Sequence, residues 1–429
     1  MNKINSLPGS DDILRQVLPN GITVLARPNF ESPSIVIRGY LPCGAILDPA
    51  DKSGLAIFLS ACLMRGTARK DFYQIYDQIE SAGASLSFSA STHNILFSGR
   101  ALAEDLPMLL ELIAEVLRFP EFPENQIEQV RDQLLAGLAI RSQNTQEMAE
   151  ITFDKAFFGD HPYARDDEGT PESIQSITRQ DMQAFHQKYF GPDGMVICIV
   201  GGIEPAKAVE NVRAVFEPWA KNPQARPSFD NLPQVTNPKT TQRLHVEIPE
   251  KSQMDLIVGF SGPNRLSPHY HAAMLGNCIL GQFGMMGRIG KVVRDDNGLA
   301  YYAGSSLAGL PLSGSWEISA GVNPGNIEEA LRLIRLELKR FTEEPVLASE
   351  LDDVQSFFIG RLPLDMESNG GVAYYLLNME RYQLGLDYYR EYAGIVRSVT
   401  REQILNTART FIDPDRLIIV TAGTKQPGS

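Results

Sequence analysis

The chain has 429 residues, too many for one ordinary core at roughly 100 to 200 residues per domain, so two or more domains are expected. Its 43% hydrophobic, 21% charged and 8% aromatic content excludes a disordered or collagenous chain. With 39 Lys and Arg against 52 Asp and Glu the formal charge is -13, which repels nucleic acid and an anionic membrane surface alike and suits either a basic peptide or simple solubility.

Met1 to Leu14 lacks the apolar core of an export signal, and no run of about eighteen apolar residues follows anywhere. Cys43, Cys62, Cys198 and Cys278 have no C-x-x-C spacing and read as buried thiols in a reducing compartment, so a cytoplasmic chain is expected. Ile95 to Gly99 alternates as a half-buried strand. Leu109, Leu112, Val116 and Phe119 then repeat at three, four and three, the spacing of one buried helical face. Arg118-Phe119 and Pro123 close that segment, and Ser176-Ile177-Thr178-Arg179 with Pro192-Asp193 leads into the apolar run Met195 to Val200. Glu217 to Lys239 holds Pro218, Pro223, Pro227, Pro233 and Pro238 among mostly polar residues and reads as a linker.

The same signals return later at one constant offset, so that Arg340 stands to Arg118 as Pro345 to Pro123 and Ser398 to Ser176. The second set comprises Trp316 to Gly321, then Leu331, Ile334, Leu338 and Phe341, Arg340-Phe341 with Pro345, Ser398-Val399-Thr400-Arg401, Pro414-Asp415 and Leu417 to Val420. The chain is therefore a duplicated α+β protein, with two homologous half-units, each an antiparallel sheet with helices on one face. The expected division is residues 1–216, a linker at 217–239, and residues 240–429.

Ser53-Gly54-Leu55-Ala56-Ile57-Phe58-Leu59-Ser60-Ala61-Cys62-Leu63-Met64-Arg65-Gly66-Thr67 resembles the metal helix of the pitrilysin/insulinase peptidases, the inverted zincins, where Gly-Leu-Ala-His-Phe-x-Glu-His precedes Gly-Thr. The resemblance continues through Phe158-Gly159-Asp160-His161-Pro162-Tyr163 and Gly169-Thr170-Pro171-Glu172-Ser173-Ile174, and covers Leu18 to Gly423. It puts Ile57 and Ala61 at the two histidines, Ser60 at the glutamate that polarises the metal-bound water, and Gly137, on a later helix, at the third ligand. None of these four positions retains the family's side chain, so no zinc or other cofactor is expected in this chain. Refilling them with His, Glu, His and Glu is expected to bury charge among apolar neighbours.

Arg294-Asp295-Asp296-Asn297-Gly298-Leu299-Ala300-Tyr301 resembles the family's R-x-x-x-G-L-x-Y segment, whose arginine and tyrosine hold substrate backbone and stabilise charge at the scissile carbonyl of the zinc site facing them. One such donor is worth ~3 to 4 kcal/mol in enzymes that lose it. A helix-ending arginine and a packed strand tyrosine remain the structural alternative. Leu280 to Ile289, with Gly281, Gly284 and Gly287, resembles the family's glycine-rich substrate loop, and equally fits a tight turn between helices. His269 and His271 are two apart and have no ligand spacing.

The resemblance implies a processing-peptidase-like, zinc-less subunit, inactive alone, that lends Arg294 and Tyr301 to a homologous zinc-binding partner of similar length, with peptides as substrates. The alternatives are a structural or assembly protein on the peptidase fold, and a homodimer that binds peptides without cutting them.

Overall fold

In the computed structural model, residues 7–224, 228–229, 232 and 235–425 are described, with 283–286 described in their backbone alone. The first half runs β1 (Leu14–Val17), β2 (Thr23–Pro28), β3 (Ser34–Leu41), α1 (Leu55–Cys62), α2 (Phe72–Ser81), β4 (Ser85–Ala90) and β5 (Ile95–Leu102). It continues with α3 (Leu106–Arg118), α4 (Glu124–Arg141), α5 (Thr145–Phe158), α6 (Pro171–Ser176), α7 (Arg179–Tyr189), β6 (Val196–Gly201) and α8 (Pro205–Phe216). The second half opens with β7 (Gln242–Glu247), β8 (Met254–Ser261), α9 (Tyr270–Gly281), α10 (Phe283–Gly290), β9 (Ala300–Gly309) and β10 (Gly314–Val322). It ends with α11 (Ile327–Glu343), α12 (Ala348–Asp365), α13 (Asn369–Arg381), α14 (Tyr388–Ser398), α15 (Arg401–Phe411) and β11 (Ile418–Gly423).

The duplication is structural. Both bounds of α15 and of β11 repeat those of α7 and β6 at the offset that relates Ser398 to Ser176. The sheets repeat one order, β2-β6-β3-β5-β4 and β7-β11-β8-β10-β9, with β1 added outside β2 in the first. Thr178 and Thr400, at the same offset, close matching capping boxes with Asp181 and Gln403, which satisfies two orphan N–H groups at each helix start. Each sheet is antiparallel apart from one pair, β2 with β6 and β7 with β11.

Two compact units form, and neither is a continuous stretch. One holds the described residues of Met1–Leu138, Asp166–Pro227 and Leu362–Tyr392; the other holds those of Ala139–Arg165, Ser228–Arg361 and Ala393–Ser429. The units thus differ from the division at 216 and 240 because two helices pack on the sheet of the opposite half: α5 on β8 and β11, and α13 on β3 and β6. Of the expected linker, residues 225–227, 230–231 and 233–234 lie outside the described residues.

In the first unit, the face of β3 bearing Ile35 and Ile37 is fully buried, and a Cβ at Gly99 on β5 would stand 3.0 Å from Leu109 of α3. Tyr40, on the other face, feels the charges of Glu380 and Arg381 of α13. In the second unit, Phe260 and Trp316 pack beneath Phe341 of α11. Phe153 of α5 fills the space over Gly259 on the reverse face, where any side chain would clash with its ring. Each sheet therefore carries helices of its own half on one face and a single helix of the other half on the reverse.

Candidate functional site

The metal-like helix keeps its scaffold. Asp48 accepts from Gly54 N and Ala56 N, each at 3.0 Å, and so supplies the cap that Gly54, at φ 90°, cannot supply by side chain. Gly169, at φ 78°, lies so close to Ser53 O that a Cβ would stand 2.3 Å from it, and Ser173 Oγ donates to the same carbonyl at 2.7 Å. The Gly169-Thr170 segment therefore braces the entry to α1. His161 and Tyr163 pack with Phe158 in an aromatic cluster, and His161 Nδ1 accepts from Tyr163 N at 3.1 Å, so this part of the motif is architectural.

Within that scaffold the metal chemistry has no donors. Ile57 is half-buried, and Ser60 is buried with its hydroxyl donating to Ile57 O at 2.8 Å. Ala61 and Gly137 are exposed, and a Cβ at Gly137 would meet nothing within 4 Å. Two of the four positions therefore face open space, which corrects the expectation that refilling all of them would bury charge; only Ser60 fits it. Arg131 of α4 lies 5.1 Å over the Phe58 ring and donates to Ile177 O at 2.9 Å and to Ile174 O, tying the third-ligand helix to α1. Among the described residues no group of three or more His, Cys, Asp or Glu side chains is placed to hold a metal. These residues do not fit a zinc ion.

In the second unit, α10 runs into a π-helical turn, Lys291–Asp295, that is closed by a glycine with positive φ and two backbone hydrogen bonds. Gly298, at φ 62°, donates to Arg294 O at 2.8 Å, and Leu299 donates to Val293 O at 3.0 Å. The Gly-Leu of the segment is thus the stop signal between the turn and β9. Arg294 is partly exposed, its Nε 3.8 Å from Asp295. Tyr301 stands on β9, an edge strand, with 85% of its surface exposed. The next residue faces the other way: Tyr302 OH donates to Asp255 at 2.6 Å.

Of the glycine-rich segment only Gln282 lies between α9 and α10, so Gly284 and Gly287 stand within α10 and not in the loop or tight turn expected from the sequence. Gly281 ends α9 against β9, where a Cβ would lie 2.2 Å from Ser305 N, and Gly287, at φ 63°, packs back on Ile279 O and Gly281 N. Gly284 falls within 283–286, outside the residues whose side chains are described. Arg288 follows, nearly buried and bidentate to Glu350 at 2.7 and 2.5 Å, with Glu337 3.4 Å away. His269 reaches Thr407 Oγ1 at 3.0 Å.

Three features had no counterpart in the sequence reading: the Arg131 tie, the Tyr302 to Asp255 hydrogen bond, and the exposed row Ser85, Ser87 and Ser89 on the edge strand β4. The last has a plain signal in the alternation Ser-Leu-Ser-Phe-Ser-Ala. All four cysteines are buried thiols outside any disulfide. Burial pushes the Cys62 thiol up to about 12 and Cys278 to about 11, so neither is a nucleophile at neutral pH. No helix among the described residues is long and apolar enough to cross a membrane.

Comparison with known proteins agrees with this geometry. Residues 25–170 match the family described as Insulinase (Peptidase family M16), and residues 176–357 match the Peptidase M16 inactive domain. An uncharacterized zinc protease of Mycobacterium leprae is 25% identical over 94% of this chain and 90% of its own length. A probable mitochondrial-processing peptidase subunit beta of Arabidopsis thaliana is 23% identical over 65% of this chain and 52% of its own. The crystal structure of a peptidase M16 inactive domain from Pseudomonas fluorescens superposes with a TM-score of 0.87 at 28% identity, covering 97% of this chain and 99% of that one. With the metal helix, its bracing segments and the duplicated sheets all in place and the ligand positions occupied by Ile57, Ala61 and Gly137, the chain belongs to the M16 peptidase family as a member without zinc-site residues.

Proposed function

We propose that the chain is the non-catalytic subunit of a heterodimeric M16 metalloendopeptidase. In this reading a homologous chain of similar length supplies H-x-x-E-H and zinc, and Arg294 and Tyr301 complete that site in trans for peptide hydrolysis. Tyr301 is the observation that carries it. A phenol left 85% exposed on an edge strand adds nothing to the core and is free to donate to a developing oxyanion on another chain. The neighbouring Tyr302, by contrast, is committed to Asp255.

Two further points support the reading. The relatives from Streptomyces coelicolor and Mycobacterium leprae are named zinc proteases, whereas this chain has no ligands at the matching helix, so a metal for the same chemistry has to come from a second chain. The edge strands β4 and β9 each have one unpaired side, the arrangement that takes an extended peptide by strand addition. The backbone around Gly281, Gly284 and Gly287 is proposed to border that peptide. Short or unfolded peptides are the substrate class, and buried thiols outside any disulfide suit a reducing, cytoplasmic setting.

The test is reconstitution with a zinc-bearing homologue from the same source, followed by steady-state peptide cleavage. Tyr301→Phe lowers kcat of the pair by ~10²-fold with assembly intact by size-exclusion chromatography, and Arg294→Ala raises KM as well. Unchanged kinetics for both variants would favour a structural or assembly subunit instead.

A further inference from the structure

We propose that Arg38 and Arg100, with Ser98 and Ser87, form a carboxylate-binding site beside the β4 edge of the first sheet, so that this chain favours peptides with an acidic side chain. The proposal rests on the peptide-binding reading above and adds the chemistry of the preferred ligand.

The register puts these residues on one face. Arg38 of β3 lies opposite Ser98 of β5, Ser98 lies opposite Ser87 of β4, and Arg100 lies opposite Ser85. Arg38 and Arg100 are then diagonal neighbours across β3 and β5, ~7 to 8 Å apart at the backbone and within reach of one shared anion. Arg100, Ser85 and Ser87 are exposed, whereas Ser98 and Arg38 are half-buried.

Neither guanidinium has a counter-charge among the described residues. Arg38 Nε is out of solvent and has no hydrogen-bond partner. Its cross-strand neighbour Cys198 is not an anion, because burial raises that thiol far above neutral pH, with Arg38 opposing. Glu380, whose charge reaches Tyr40 on the same face, is held bidentate by Arg15 at 2.8 Å on both oxygens. Two unpaired guanidiniums beside a row of hydroxyls, in a chain of net charge -13, are a local inversion of sign. A carboxylate relieves their repulsion, accepts two parallel N–H bonds and takes hydroxyl donors from Ser87 and Ser98.

The edge strand selects a peptide as the bearer of that carboxylate. A strand added to β4 runs ~5 Å beyond it and ~10 Å from β5. Alternate side chains of that strand lie on the Ser85–Ser87–Ser89 face, where a glutamate directed inward meets Arg100 over Ser87.

The experiment is fluorescence anisotropy on the full chain with two labelled, C-terminally amidated extended peptides that differ only in a central Glu or Gln. The Glu peptide binds ~10-fold or more tightly, in line with charge-assisted hydrogen bonds. Arg100→Gln, a change at an exposed position, erases the difference and leaves the affinity for the Gln peptide unchanged. Arg38→Gln narrows the difference too; should it lower the melting temperature, Arg100→Gln decides alone. Equal affinity in the wild type, a preference that survives Arg100→Gln, or inorganic phosphate displacing both peptides alike overturns the proposal. None of these outcomes touches the reconstitution test, so the two readings fail separately.

Discussion

Tyr302 and Asp255 join β9 to β8 across β10: the phenol donates to the carboxylate at 2.6 Å, and Thr145 of α5 and Gln253 donate to the same side chain. Burial and the neighbouring carboxylate push the Tyr302 phenol well up, so it stays a donor throughout the working range. One residue earlier, Tyr301 touches water. The pair separates structural from functional tyrosine on one strand. Tyr302→Phe is expected to lower stability by ~1.5 kcal/mol in urea unfolding, the value of one hydrogen bond to a charged group, while Tyr301→Phe leaves the unfolding curve in place. Equal loss from both would return Tyr301 to a packing role.

Arg288 ties α10 to buried acid. Its guanidinium serves Glu350 and Glu337, and burial still holds the Glu337 carboxyl above its ordinary value despite Arg288 and Arg340. Arg288→Met takes the bidentate partner from Glu350 and leaves buried Glu337 with Arg340 at 3.8 Å, at a cost of about 3 kcal/mol. Adding Glu337→Gln recovers part of that loss. Chemical denaturation of the single and double variants reads both values.

The vacant metal helix is unevenly tolerant. Ser60→Glu puts a carboxylate where a buried hydroxyl now donates to Ile57 O, and is expected to cost on the order of 3 kcal/mol. Ala61→His and Gly137→Glu point into open space and are expected to change stability by less than ~1 kcal/mol. Metal analysis of the wild-type chain is expected to find no stoichiometric zinc, and the quadruple variant with Ile57→His is expected not to cleave peptides, since restoring ligands does not by itself restore the groups that orient them. Zinc-dependent cleavage by that variant would show a surviving outer shell.

The duplication could be read in advance because a buried helical face and a buried strand impose periodic apolar positions, and both copies keep them: Leu109, Leu112 and Val116 recur as Leu331, Ile334 and Leu338, all buried. The exchange of α5 and α13 carries no such mark. An apolar helix face states that it is buried and not which sheet buries it, and Phe153 over Gly259 joins residues from opposite halves of the chain. Gly281 and Gly287 also read ambiguously, because glycine permits both a ligand's approach and a helix's; Ser305 settles what lies against Gly281. The direction of Tyr301 was hidden for a related reason: Ala303-Gly304-Ser305-Ser306 has too little apolar contrast to say which parity of β9 faces inward.

Glu317 on β10 links folding to pH. Its carboxyl is pushed up to about 7, by burial first and by the charge of Glu150, with the hydrogen bond from Ser315 Oγ at 2.6 Å opposing. In the unfolded chain the same group titrates near 4.5. Between those two values the folded chain keeps a proton that the unfolded chain has released, so stability falls as pH rises through this window and levels off above it. Glu317→Gln removes the penalty. It is expected to be the more stable protein at pH 8, by on the order of 2 kcal/mol once partial solvent screening is allowed for, and to lose that advantage at pH 4 to 5. Urea unfolding of both proteins at the two pH values measures it. A difference of the same size at both would mean that Glu317 gains no proton on folding.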